Sequence, residues 1–147
     1  MTAINLKGTG RAILTKENGE KEIYEHHNLI TRLGFDLLIK SLIAPSNRPD
    51  VLSYVAIGTG TTAAAVTQTT LVSETNRTRG TWDWTVGTKI FKITAAFERG
   101  AVTGTISEGG VFNASTGGTM FDRVVFTTPI TVGSDVQYTQ EFEFEVI

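Results

Sequence analysis

The chain has 147 residues, 40% of them hydrophobic and 19% charged, values of a globular domain able to bury its own core. Its 13 basic and 15 acidic residues give a net charge of -2, a weak footprint for nucleic-acid binding, which draws its affinity from clustered Lys and Arg. It has no cysteine, hence no disulfide and no thiolate metal site, and no apolar run near the roughly 20 residues of a bilayer span.

The N-terminus, Met1 to Lys7, lacks the apolar core of a signal peptide, so synthesis in a reducing cytoplasm is expected. Residues 1–27 read as a small β unit, a hairpin or arm. Arg11–Lys16 alternates, Asn18-Gly19 is a hairpin-turn pair, and Lys21–His27 returns, which sets Ile13 against Ile23 or Tyr24. Asn28–Ala44 is the one convincing helix. Leu29, Leu33, Leu37 and Ile30, Leu38, Leu42 recur at helical spacing, Thr31 or Asn28 suits the N-cap, and Pro45 ends it. Gly34 inside a helix costs roughly 1 kcal/mol against Ala, which implies close packing there. So apolar a helix must be covered, either as a plug in one end of a sandwich or in a subunit interface.

Val51–Ile57 reads as the first core strand, closed by Gly58-Thr59-Gly60-Thr61-Thr62, with a short helical turn expected near Val66–Leu71. Beyond it alternation dominates, in Thr81–Val86, Ile90–Glu98, Ser107–Asn113, Met120–Phe126 and Gln137–Val146. A bulge is expected at the pair Gly109-Gly110. Short, frequent strands separated by turns predict a mainly β fold, an antiparallel sandwich or jelly roll, with residues 28–147 forming the helix-plus-sandwich part of one compact domain.

The residues that could carry chemistry are few. Gly58-Thr59-Gly60-Thr61-Thr62-Ala63 matches a dinucleotide fingerprint in letters, but no amphipathic helix and no βαβ pattern follow. His26 and His27 are adjacent on a strand and point to opposite faces, so even with Glu22 and Glu25 nearby they suit one metal poorly. Glu141, Glu143 and Glu145 share a strand face, and Lys89 or Lys92 could offset their repulsion. Trp82 and Trp84 share a face as well, in core or interface packing or, more sharply, as a sugar-binding platform. Arg77 and Arg79 are expected to pair with Glu74, Asp83 or a partner's carboxylate. Asn76 and Asn113 fit glycosylation sequons that a cytosolic chain does not use. No catalytic, cofactor-binding or metal-binding set emerges, and the chain is expected not to be an enzyme.

Two stretches nevertheless form a pattern. Tyr54-Val55-Ala56-Ile57-Gly58-Thr59-Gly60-Thr61-Thr62, with Thr70-Leu71, Glu74 and Arg77, is the first. Ile106-Ser107-Glu108-Gly109-Gly110-Val111-Phe112-Asn113-Ala114, with Gly117-Gly118-Thr119-Met120-Phe121-Asp122-Arg123 and Phe126, is the second. Over residues 28–147 the chain resembles small virion proteins of tailed bacteriophages, whose usual text is E-A-G-L-F-N-A … G-G-x-M-L-A-R. It departs from that text at Gly109 and Val111, and has Ala63-Ala64-Ala65 where Ala-Pro is more usual. The resemblance implies a non-enzymatic structural protein of the virion. It implies foremost a decoration or cement protein on the capsid exterior, a homotrimer bound to the major capsid protein. A tail, baseplate or fibre-anchoring component is the alternative, and a carbohydrate-binding module a third. Neither nucleic acid nor membrane is an expected partner.

Overall fold

The computed structural model describes residues 4–147. Nine strands and one helix follow in the order β1 (Leu6–Thr15), β2 (Lys21–Ile30), α1 (Arg32–Ile43), β3 (Tyr54–Gly58), β4 (Glu74–Arg79), β5 (Thr81–Trp84), β6 (Ile90–Ala96), β7 (Gly104–Phe112), β8 (Asp122–Val132) and β9 (Gln137–Val146). Every pairing is antiparallel, in the order β4-β3-β7-β8-β2-β1-β9-β6-β5. The sheet folds over on itself at two places. Residues Thr9–Thr15 of β1 pair with β2 up to His27, whereas Asn28–Ile30 of β2 pair with β8, so β2 passes from one layer to the other. The two outermost strands, β4 and β5, are separated only by Gly80, whose missing Cβ leaves room for the Ile93 side chain. The result is a mainly β antiparallel sandwich, nearly closed into a barrel.

Alternation explains the layers. In β9, Tyr138, Gln140, Phe142 and Phe144 are buried while Gln137, Thr139, Glu141, Glu143 and Glu145 are only half-covered, the pattern of a strand with one face in the core. Phe142 and Phe144 meet Ala12, Leu14 and Ile93 of their own layer and Val55, Ile57, Ile106, Val111 and Val124 of the facing one in one continuous core. The expected N-terminal hairpin forms, with Ile13 opposite Ile23. It occupies the middle of the sheet, because β1 also pairs with β9 from Leu6 to Thr15.

Several boundaries differ from the sequence reading. Asn28, Leu29 and Ile30 belong to β2, not to the helix, which begins at Arg32 after the Thr31 cap. Their leucine and isoleucine fit a helical repeat, but Asn28↔Val124 and Ile30↔Asp122 pairing claims the backbone. Glu74–Arg79 is a strand that its polar, arginine-rich sequence conceals. The first core strand starts at Tyr54, leaving Val51 exposed, and β8 runs past Phe126 to Val132. The register shift in β7 lies between Ile106 and Glu108, ahead of the glycine pair. Around Val66 there is a turn rather than a helix.

Helix α1 closes one end of the sandwich, and Gly34 is the reason it can sit so near. A Cβ there would run into the carbonyl oxygen of Phe121. Gly34→Ala is therefore expected to destabilise the protein by roughly 1–3 kcal/mol in urea unfolding, the range of overpacked cores, despite the better helix propensity of alanine. A stabilised variant would show that this contact yields freely. Only Gly34 and Leu37 of the helix are buried; Leu42 and Ile43 remain 75% and 73% exposed. The helix thus plugs the sandwich with one face and leaves the other uncovered. Among the described residues no helix is long and apolar enough to cross a membrane.

Candidate functional site

The two sequence stretches singled out above meet on the outer face of the layer β4-β3-β7-β8. Because side chains alternate along β7 and β8, Glu108 and Arg123 point away from the core and would be solvated if nothing lay over them. Residues 59–73, the loop that follows the Gly-Thr-Gly-Thr-Thr run, lie over them, and the two side chains are 0% and 1% exposed. Glu108 Oε1 accepts the backbone N–H groups of Val72 (2.7 Å) and Ser73 (3.4 Å), and its Oε2 accepts from Arg123 Nη2 at 3.2 Å. Arg123 Nη1 donates to the Thr62 carbonyl (2.7 Å) and to Gln68 Oε1 (3.2 Å). One buried ion pair thereby holds both ends of the loop.

The glycines now have a physical role. A Cβ on Gly60 would overlap the Glu108 carboxylate, and one on Gly58 would strike the Ser73 carbonyl. They bring the loop's backbone against the strand, not against a phosphate. The loop's Val66 carbonyl accepts from Arg32 N–H (2.9 Å), so it also caps the helix alongside Thr31, whose Oγ1 accepts the Gly34 N–H (2.9 Å) and donates to the Met120 carbonyl (2.6 Å). Leu71 completes the layer on Ala56, Phe112 and Met120.

A second clamp lies beside the first. Arg77 pairs with Glu74 (2.7 Å) as expected, and its Nη1 also donates to the carbonyls of Ala114 (2.8 Å) and Gly117 (2.9 Å). Its guanidinium lies 3.8 Å from the centre of the Phe112 ring. Asn113 Oδ1 accepts Thr119 N–H (2.7 Å), and Gly117 and Gly118 take positive φ, closing the 113–119 turn. Arg79 donates to the Tyr54 hydroxyl at 2.8 Å instead of joining Asp83. The charged residues and several glycines of the two stretches are thus gathered into one polar seam between loops and sheet, while their apolar residues Val55, Ile57, Ile106, Val111, Phe121 and Phe126 lie in the core. The Glu108 carboxylate and the Arg123 guanidinium are buried beneath the loop, where Arg123 Nε is left without a hydrogen-bond partner, and their bonds to the Val72 and Ser73 amides and the Thr62 carbonyl hold backbone in place.

The remaining candidates lie apart from it. On the outer face of the other layer Arg11 bridges Glu25 (2.6 Å) and Glu141 (2.9 Å), and Lys92 reaches Glu141 at 3.4 Å, so the carboxylates of β9 are drawn into a cross-strand charge ladder. His26 and His27 border a crevice of about 510 Å³ with Ala63, Phe126 and Pro129, and His26 Nδ1 lies 2.8 Å from the His27 carbonyl. Among the described residues no group of three His, Cys, Asp or Glu is placed to hold a metal ion. Trp82 turns inward: its indole N–H donates to the Leu52 carbonyl, and its ring packs 5.6 Å from that of Phe91. Trp84 stays 63% exposed, so the two indoles do not form one platform.

Sequence reasoning passed over Asp122. It is fully buried, accepts from Val111 N–H (2.9 Å) and Asn28 Nδ2 (2.5 Å), and has no cation beside it. Burial pushes its pKa up to about 7, against the pull of those two hydrogen bonds. Asn28 Oδ1 next to it is buried without a partner. The signal available in the sequence was an Asp of the same strand parity as Val124 and Phe126. Comparison with protein-family models, with curated proteins and with solved structures finds no match to this chain.

Proposed function

We propose that this chain is a non-enzymatic structural protein of a tailed-bacteriophage virion, acting as a decoration or cement protein on the outer capsid surface. One observation carries the reading. Of the residues on which the resemblance to such proteins rests, Gly58, Gly60, Glu74, Arg77, Glu108 and Arg123 fasten the covering loops to the sheet. A pattern spent on a rigid scaffold leaves the surface free to vary with its neighbours. A protein of this kind works by contact: binding across neighbouring capsomers stabilises the assembled shell over the dissociated one by mass action.

Quantitative mass spectrometry of purified particles tests this through the copy number of the chain relative to the major capsid protein. A ratio of the same order as the capsid subunit is the expected result. A ratio far below it replaces the capsid reading with a tail, baseplate or fibre-anchoring one. Absence from particles removes the virion reading altogether.

A further inference from the structure

The outward face of α1 has an order that exposure alone does not explain. Phe35, Leu38, Ile39 and Leu42 stand at i, i+3, i+4 and i+7, an apolar stripe along the solvent side, while Gly34 and Leu37 face the sandwich. A helix of this length needs one apolar face to pack on its own domain, and this one has two. Leu38 also borders an apolar crevice of about 410 Å³ beneath the helix, lined by Leu6, Val51, Trp82 and Phe91 among others. The exposed patch therefore continues inward from the stripe. Along one flank run Arg32, Asp36 and Lys40, and among the described residues none of the three is in an ion pair. By contrast, Arg11, Arg77 and Arg123 are all paired.

The spacing of the stripe is the same read in either direction. An antiparallel helix pair that sets Phe35 against Leu42 also sets Leu38 against Ile39, twice over by symmetry. In such a pair equal flanks of the two helices lie side by side. Asp36 of one helix then falls within one residue of the position opposite Lys40 of the other, closer than Lys40 comes to its own counterpart. A two-fold contact thus matches apolar with apolar and acid with base. A three-fold arrangement of parallel helices sets the charged flank of each against the side of the next that carries Ser41 and the buried Gly34, where the helix itself offers no charge.

We infer that this face of α1 is a self-association surface, and that its partner is a second copy of the chain docked antiparallel about a two-fold axis. The contact is isologous, each patch being its own complement. It is independent of where the chain works, in a virion or elsewhere.

Analytical ultracentrifugation of the intact chain at high micromolar concentration tests the inference. A species of twice the 15.9 kDa chain mass is expected. Leu42→Asp is expected to yield monomers with an unchanged circular dichroism spectrum, since Leu42 touches solvent in the single chain. Asp36→Lys and Lys40→Asp are each expected to raise the dimer dissociation constant roughly tenfold or more, as two attractive pairs become repulsive. An equimolar mixture of these two variants is expected to recover the dimer, because each then meets its opposite charge. A structural effect within one helix would not be repaired by mixing. A monomeric wild-type chain, a trimer, or a dimer indifferent to both Leu42→Asp and the charge exchanges overturns the inference.

Discussion

Arg123→Met is expected to cost about 3–5 kcal/mol of unfolding free energy, the largest effect of any single side chain outside the apolar core. The ion pair is not itself a large source of stability. Two charges taken out of water lose hydration that their mutual attraction only about repays. The loss comes from what the substitution leaves behind. Glu108 would remain beneath residues 59–73 with its Oε1 on the Val72 and Ser73 amides and its Oε2 facing methionine. The Thr62 carbonyl and Gln68 Oε1 would lose their donor at the same time. The double variant Glu108→Gln/Arg123→Met is expected to recover much of the loss, since a neutral amide can still accept from Val72 and no uncompensated charge is buried. Urea unfolding of the two single variants and the double gives the coupling directly. Limited proteolysis gives a second readout: cleavage within residues 59–73 is expected in Arg123→Met well before the sheet unfolds. Equal and additive losses in the cycle would mean that the two groups act separately and that the loop is held by Leu71 and the backbone alone.

The legible parts of this fold are those in which a strand is half in the core. Gln137–Val146 announces itself by alternation, as does Phe91-Lys92-Ile93-Thr94-Ala95, because one face meets apolar neighbours and the other meets water or charge. Where the second face is also covered, the signal fails. In β7 every residue from Ile106 to Phe112 is buried, and Glu108 sits there as a charge in an otherwise apolar or small run. Nothing local says that its partner is Arg123, or that the covering layer is a loop beginning at Gly58. The end of the corner strand β2 is hidden in the sequence for a related reason. Leu29 and Ile30 satisfy a helical repeat, and only pairing with β8 decides against it. The cluster's glycines stand out in the sequence by their letters, but their cause, the Ser73 carbonyl at Gly58 and the Glu108 carboxylate at Gly60 in the place of a Cβ, is tertiary. The helix shows the opposite case. Its unusual apolar content is plain in the sequence, and the structure divides it into one face that packs and one that does not.

Asp122→Asn is expected to make the protein more stable than the wild type at pH 8 and to remove most of the pH dependence that the carboxyl introduces. In the folded state the carboxyl titrates near 7, because its anion is buried with no cation beside it; in the unfolded chain it titrates near 3.8. Between those values the folded protein holds more protons than the unfolded one, so stability falls as pH rises through this interval. The stabilising contribution is complete below about pH 3.8 and spent above about pH 7, a decline of up to about 4 kcal/mol from this one group. Arg123, the next residue, does not offset it, since it points to the opposite face and is engaged with Glu108. The neighbouring amide supports the same direction. Asn28 Oδ1 is buried without a donor, and a protonated Asp122 could supply one once the Asn28 amide is turned over. Asparagine at 122 supplies that donor at every pH and still accepts from Val111 N–H. Subtracting the urea-unfolding free energy of Asp122→Asn from that of the wild type, pH by pH from 5 to 9, isolates this group from the other carboxylates. The difference is expected to move steadily against the wild type up to about pH 7 and then level off. A difference that is flat, or that favours the wild type more as pH rises, would show that the folded protein holds Asp122 as a stabilised anion.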